Sequence, residues 1–154
     1  MAAAIFGIVL SIFASQSSPI GFVLGSFAAI AVFLVIAIAY TFKQVATDPV
    51  ISTNRIIGAI AVYLLLGVLW AVAYKITEIG WPGSFGGFDA DTGREWASEW
   101  MYFSFVTMTT LGYGDIGPLS PIARLLAYMQ AIVGQLYIAT LVAGLVGAYV
   151  ARKD

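Results

Sequence analysis

No charged residue precedes Lys43, and the only interruption in that apolar stretch is the turn-forming cluster Ser15-Gln16-Ser17-Ser18-Pro19. The cluster separates an apolar segment over about 2–14 from a second over about 21–42. A polar connector over 43–54 follows, carrying Asp48-Pro49. A third apolar segment, 55–77, is long enough to cross a bilayer, which takes roughly 20 residues. Then comes a loop over 78–92, rich in glycine, aromatics and acids. A shorter helical candidate, 93–109, runs into a glycine-punctuated turn at 110–115. The last apolar segment, 120–151, ends against Arg152-Lys153. Thr92 with Glu95 three residues on fits a capping box, and Glu95 and Glu99 put negative charge near that helix's N-terminus. Ser120 before Pro121 reads as an N-cap with proline in the first helical position.

Charge adds direction to this pattern. Lys43 and Arg55 flank the connector, and Arg152 and Lys153 flank the last exit. An excess of Lys and Arg marks the cytoplasmic side, so the connector and C-terminus are expected inside and the acidic loop 78–92 outside. That parity requires one re-entrant excursion between the third and last segments, and the short helix with its turn is the candidate. Met1–Ala14 has no leading positive charge, as a secretory signal would. A first membrane helix is therefore expected there, with a signal cleaved near Phe13-Ala14-Ser15-Gln16 as the other reading. The expected class is an all-α membrane protein with four membrane segments and one re-entrant loop.

Composition agrees and removes other classes. Hydrophobic residues make up 61% of the 154 and charged residues only 10%, where soluble domains carry roughly a quarter charged. A net charge of −1 gives no basic footprint for nucleic acid. Cysteine and histidine are absent. With them go disulfides, thiolate metal sites, the cysteine nucleophile and the commonest general base. No cofactor and no enzymatic activity are expected.

The chemistry sits in Thr107-Met108-Thr109-Thr110-Leu111-Gly112-Tyr113-Gly114-Asp115. A dehydrated cation in a narrow pore needs oxygens in place of its hydration shell. Backbone carbonyls supply them if successive ones face a common axis, and that requires dihedrals alternating in sign. Glycine tolerates positive φ, which accounts for Gly112 and Gly114 at alternate positions. Thr110 can add a hydroxyl at the inner end, and the Tyr113 ring can brace the ribbon from outside. Asp115 either fixes the outer mouth or solvates the turn. A glycine–aromatic–glycine triplet alone is common in ordinary turns; here it lies between a capped helix and a long apolar one.

Threonine, an aliphatic residue, Gly-Tyr-Gly and aspartate, set between an outer and an inner helix, resemble the selectivity filter of the potassium channel family. The resemblance covers 55–154 as a pore domain: outer helix 55–77, outer loop 78–92, pore helix 93–109, filter 110–114, inner helix 120–151. It implies a homotetramer in the cell membrane, contacting lipid and potassium ions. It also implies ion sites made by the carbonyls of Thr110, Leu111, Gly112 and Tyr113, with Gly114 closing the filter. A pore helix near 96–109 would aim its negative end at the cavity. Thr109, Tyr102 and Asp115 would support the filter.

The chain departs from the family's pattern at several positions. Leu111 stands where many members have valine, and it offers the same carbonyl. Tyr102-Phe103 replace a tryptophan pair: Tyr102 keeps a hydroxyl that can reach Asp115, while Phe103 has no donor for Tyr113. Val106 stands where some bacterial members have glutamate. Gly134 resembles the family's hinge glycine. Ala131, Gln135, Ile138, Val142 and Val146 recur at helical spacing, and the family pattern turns that stripe toward the pore. Gln135 fits either a water-facing place or a helix–helix hydrogen bond. Gly144 and Gly147 suit close helix packing, and Arg124 an interfacial anchor. Segment 21–42, in the place of a voltage sensor, has no charge to move. With only a few residues after the inner helix, no cytoplasmic ligand-binding domain is expected, and no stimulus is indicated. A poorly selective cation channel and a non-conducting regulatory subunit are the alternatives to a selective channel.

Overall fold

The computed structural model describes residues 20–47, 53–88 and 96–150. Among them are four helices: α1 (Ile20–Thr47), α2 (Thr53–Gly80), α3 (Trp96–Met108) and α4 (Pro121–Val150). Two short strands, β1 (Phe85–Gly86) and β2 (Gly117–Pro118), complete the order. The first apolar segment, the Thr92–Glu95 capping box and Arg152-Lys153 lie outside the described residues. Apolar spans of Ile20–Val45, Thr53–Gly80 and Pro121–Gly144 are each long enough to cross a bilayer. At 1.5 Å per residue the 28 residues of α2 reach about 42 Å. The 13 residues of α3 reach only about 20 Å, well short of the roughly 30 Å hydrocarbon layer. The chain is an all-α membrane protein.

Element ends differ a little from the pattern reading, for local reasons. α1 continues past Lys43 to Thr47, because Gln44, Val45 and Ala46 are compatible with helix and Pro49 is the first breaker. α2 continues past 77 to Gly80, and the Trp81 amide still donates to the Thr77 carbonyl at 2.8 Å. At the start of α4 the Ala123 amide donates to Ser120 Oγ at 3.2 Å, which is the N-cap bond.

α1 lies against α2, where Phe27 and Leu34 pack with Val72. α2 also touches α3 and α4, and α3 touches α4, so the short helix is held between two long ones. An aromatic cluster packs where α2, α3 and the loop after α2 meet. Tyr74 and Phe103 have ring centroids 4.9 Å apart, and Phe85 meets Trp100 edge-on at 5.1 Å.

The outer loop is not free-running. Glu78 accepts from the Gly83 amide at 2.8 Å and the Phe85 amide at 3.1 Å, folding the loop back on α2. β1 then pairs antiparallel with β2, Phe85 opposite Pro118 and Gly86 opposite Gly117. The Leu119 amide donates to the Ser84 carbonyl at 2.8 Å. The loop is thereby fastened to the residues that follow Asp115.

Candidate ion-selecting ribbon

α3 ends in a double hydrogen-bonded turn. The Leu111 amide donates to the Val106 carbonyl, and the Thr110 amide to the Thr107 carbonyl, both at 3.0 Å. This is the Schellman pattern, which places Thr110 in the position usually held by glycine. Thr110 accordingly has φ of 60°, the only positive φ at a non-glycine among the described residues. A β-branched residue there is strained by contact of its Cβ with the backbone. Gly112 follows with φ of 58° and Gly114 with φ of 79°. Positive φ at 110, 112 and 114, with Leu111 and Tyr113 negative, is the alternation a ribbon needs to turn its carbonyls to one side. Two of those three positions were readable as glycines; Thr110 was not.

The ribbon's start is also held by the Gly112 amide, which donates to the Val106 carbonyl at 3.3 Å. Thr109 Oγ1 donates to the Phe105 carbonyl at 2.7 Å, so this hydroxyl serves its own helix. At the other end the Tyr102 hydroxyl donates to Asp115 Oδ2 at 2.6 Å. That bond holds the Asp115 carboxyl below the usual carboxylate range; slight burial opposes it, and the Ile116 amide assists. The Tyr102 and Tyr113 rings lie nearly parallel, 7° apart, with centroids 6.4 Å apart. Phe103 turns instead into the aromatic cluster with Tyr74 and Phe85. From the outer loop, Gly87 comes so close to Asp115 that a Cβ would collide with its carbonyl, and its φ is 91°. Only glycine fits there.

Beside the ribbon lies an open groove of about 330 Å³, lined by Thr110, Gly112 and Gly114 together with Val106, Ile116 and Ala131. The gate candidates share α4 but not one environment. Gln135, Ile138, Val142 and Val146 are exposed in the single chain, and Ala131 is half-buried. Gly134 is buried, and a Cβ there would stand 2.8 Å from the Met108 carbonyl and 2.9 Å from Met108 Cγ. Close contact with the end of α3 thus accounts for this glycine. Arg124 Nε donates to the Pro118 carbonyl at 3.4 Å.

Gln130 escaped the sequence reading, although the signal that drew attention to Gln135, an amide in an apolar helix, applied equally. Gln130 is fully buried, and Tyr74 Oη donates to its Oε1. Its Nε2 donates to Ser104 Oγ at 2.7 Å and to the Ser104 carbonyl at 3.0 Å. Ser104 Oγ donates in turn to the Gly67 carbonyl at 2.7 Å.

A short re-entrant helix between two spanning ones, delivering a strained ribbon with alternating φ, is the architecture of a pore. The ion channel family model matches residues 62–151, and the chain belongs to that family. Among curated proteins it is 33% identical over 81 residues to the inward rectifier potassium channel Kirbac3.1 of Paramagnetospirillum magnetotacticum, covering 50% of this chain and 23% of that one. It is 32% identical over 84 residues to two pore potassium channel c of Oryza sativa subsp. japonica, covering 54% of this chain and 16% of that one. Over 43 residues it is 51% identical to potassium voltage-gated channel protein shk-1 of Caenorhabditis elegans, covering 28% of this chain and 8% of that one. The chain thus spans less than a quarter of the length of these relatives. No solved structure gives a significant match.

Proposed function

We propose that the chain is one subunit of a homotetrameric potassium-selective channel that conducts K⁺ passively across the cell membrane. The observation that carries this reading is the alternation of φ at Thr110, Gly112 and Gly114. Carbonyls of Thr110, Leu111, Gly112 and Tyr113, with the Thr110 hydroxyl, replace the ion's water. The relatives' names favour K⁺ as the cargo. Leu111 and Tyr113 are 55% and 67% exposed in one chain. Irregular backbone at membrane depth requires protein or a water-filled cavity around it. Four copies about an axis supply both. In this arrangement Gln135, Ile138, Val142 and Val146 face the inner cavity and the gate, the C-terminus is cytoplasmic, and the loop 78–92 is extracellular. α1 packs outside the pore domain 55–154, between α2 and lipid.

The test is a flux assay in liposomes carrying the purified protein, with K⁺ and Na⁺ gradients compared. A K⁺ flux well above that of Na⁺, lost in Gly112→Asp, is the expected result. Equal fluxes would favour a poorly selective cation channel, a reading supported by Phe103 turning away from Tyr113. Absence of flux, with no stabilisation of the tetramer by K⁺, would point to a non-conducting subunit.

A further inference from the structure

We infer that Gln130, held between Tyr74 and Ser104, is a positioning residue for the ion-selecting ribbon. The inference rests on the channel reading above and adds to it what sets the height and rotation of α3.

The hydrogen bonds run in one direction through three helices: Tyr74 on α2 to Gln130 on α4, Gln130 to Ser104 on α3, and Ser104 back to Gly67 on α2. Tyr74, Gln130 and Ser104 are all fully buried. An amide in that surrounding is unfavourable unless every polar atom finds a partner, and a leucine would fill the space without that demand. Both ends of the Gln130 amide are satisfied, so the site tolerates the polar group only in this one arrangement.

The directionality matters. Apolar contact is insensitive to sliding, whereas a hydrogen bond weakens steeply with distance and angle. Gln130 on Ser104 is matched one turn further along both helices by Gly134 on Met108. Two contacts at the same four-residue spacing fix height and rotation together. On the opposite side, a Cβ at Gly67 would meet the Phe105 ring at 2.5 Å, so α2 also sits tightly on α3. The ribbon inherits this placement directly, because the Leu111 and Gly112 amides both hang from the Val106 carbonyl. Val106 lies between Ser104 and Met108. A shift of α3 therefore moves the first carbonyls of the ribbon by the same amount.

The test uses the full chain in liposomes, with Gln130→Met, Tyr74→Phe and the double variant beside the wild type. Methionine keeps the volume and length of glutamine but none of its hydrogen bonds. The flux ratio of K⁺ over Na⁺ is read together with thermal stability. Gln130→Met should lower the ratio by about fivefold, the factor that one hydrogen bond of about 1 kcal/mol converts to. Tyr74→Phe should lower it in the same direction and by less. Pairing the two changes removes the orphaned hydroxyl, so stability should recover while the ratio stays low. A wild-type ratio in Gln130→Met overturns the inference whatever its stability, as does a ratio that recovers with stability in the double variant. Where Gln130→Met does not assemble, an unchanged ratio in Tyr74→Phe overturns it by itself. A wild-type protein without K⁺ flux would instead remove the channel reading, and this inference with it.

Discussion

Thr110 occupies the left-handed position of the Schellman turn, with φ of 60°. For an L-residue that conformation costs about 1–2 kcal/mol. Replacing the residue with glycine removes the strain, but glycine's extra freedom in the unfolded chain takes back about 0.4–1 kcal/mol. Alanine keeps most of the strain and, like glycine, lacks the hydroxyl. Thr110→Gly should therefore be more stable than Thr110→Ala by about 0.8 kcal/mol per subunit, between limits of about 0 and about 1.6. In an ordinary helix interior the order is reversed, glycine being worse than alanine by about 0.5–1 kcal/mol. The assay is thermal unfolding of the purified channel in Na⁺ without K⁺, so that ion binding does not bias the comparison. Alanine more stable than glycine by about 0.5 kcal/mol or more, the helix-interior order, would mean that residue 110 has ordinary helical backbone and that the ribbon lacks its first positive φ. Both variants should also lose K⁺ over Na⁺ discrimination in the flux assay, and Thr110→Ser, which keeps the hydroxyl, should retain most of it.

Other positions give separate tests. Gly87→Ala drives a Cβ into the Asp115 carbonyl at a φ of 91°. It should lower thermal stability by about 1–3 kcal/mol and reduce K⁺ selectivity, whereas alanine at the open Gly83, also at positive φ, should leave selectivity intact. Tyr102→Phe removes the donor that lowers the Asp115 pKa, which then rises toward the ordinary carboxylate value. A depressed folded pKa contributes stability above the ordinary value that is lost as pH falls through the folded one. The stability gap between wild type and Tyr102→Phe, followed by melting from about pH 6 to about pH 2, should therefore narrow in acid. Gly134→Ala gains about 1 kcal/mol of helix propensity but forces the Met108 carbonyl away from 2.8 Å, so the melt should fall. At Gly144, with open space around it, the same change should raise the melt.

The long helices were legible because membrane spans announce themselves by length and apolarity alone, and Ser120-Pro121 marked the start of α4 as an ordinary cap. The ribbon was legible through Gly112 and Gly114, since positive φ selects glycine strongly. It was only partly legible at Thr110, because a strained residue is by definition one the local sequence does not favour. The β1–β2 pairing and the Gly87 contact were missed for a different reason. They join positions about 30 residues apart, and a two-residue strand has no periodicity to read. Gln130 and Gln135 show the limit most clearly. Both are amides in the same apolar helix, yet one is buried in a network and the other exposed. Five residues along a helix is a rotation of about 140°, and only the neighbours on each side decide what that rotation means.

The placement of these contacts explains how a ribbon with so little side-chain mass can hold a shape. Its inner end is tied to α3 through the Val106 carbonyl, and its outer end through Asp115 to Tyr102 and the Gly87 approach. Both anchors lie within one chain. Between them a Cβ at Gly112 or Gly114 would meet nothing within 4 Å, and the Tyr113 ring lies largely open beside Tyr102. Fixed ends with an uncovered middle suit a ribbon completed by others: neighbouring subunits packed on its outer side and cations along its inner side. Stability of the ends then belongs to the subunit fold, through Tyr74, Gln130 and Ser104 below and the β1–β2 pair above. In the proposed channel, discrimination between ions arises along the whole ribbon, where carbonyls held at both ends have little freedom to close around a smaller ion. Gln130 acts on the ribbon through its anchored end and Thr110 from within it, so variants at the two positions test the anchor and the ribbon separately.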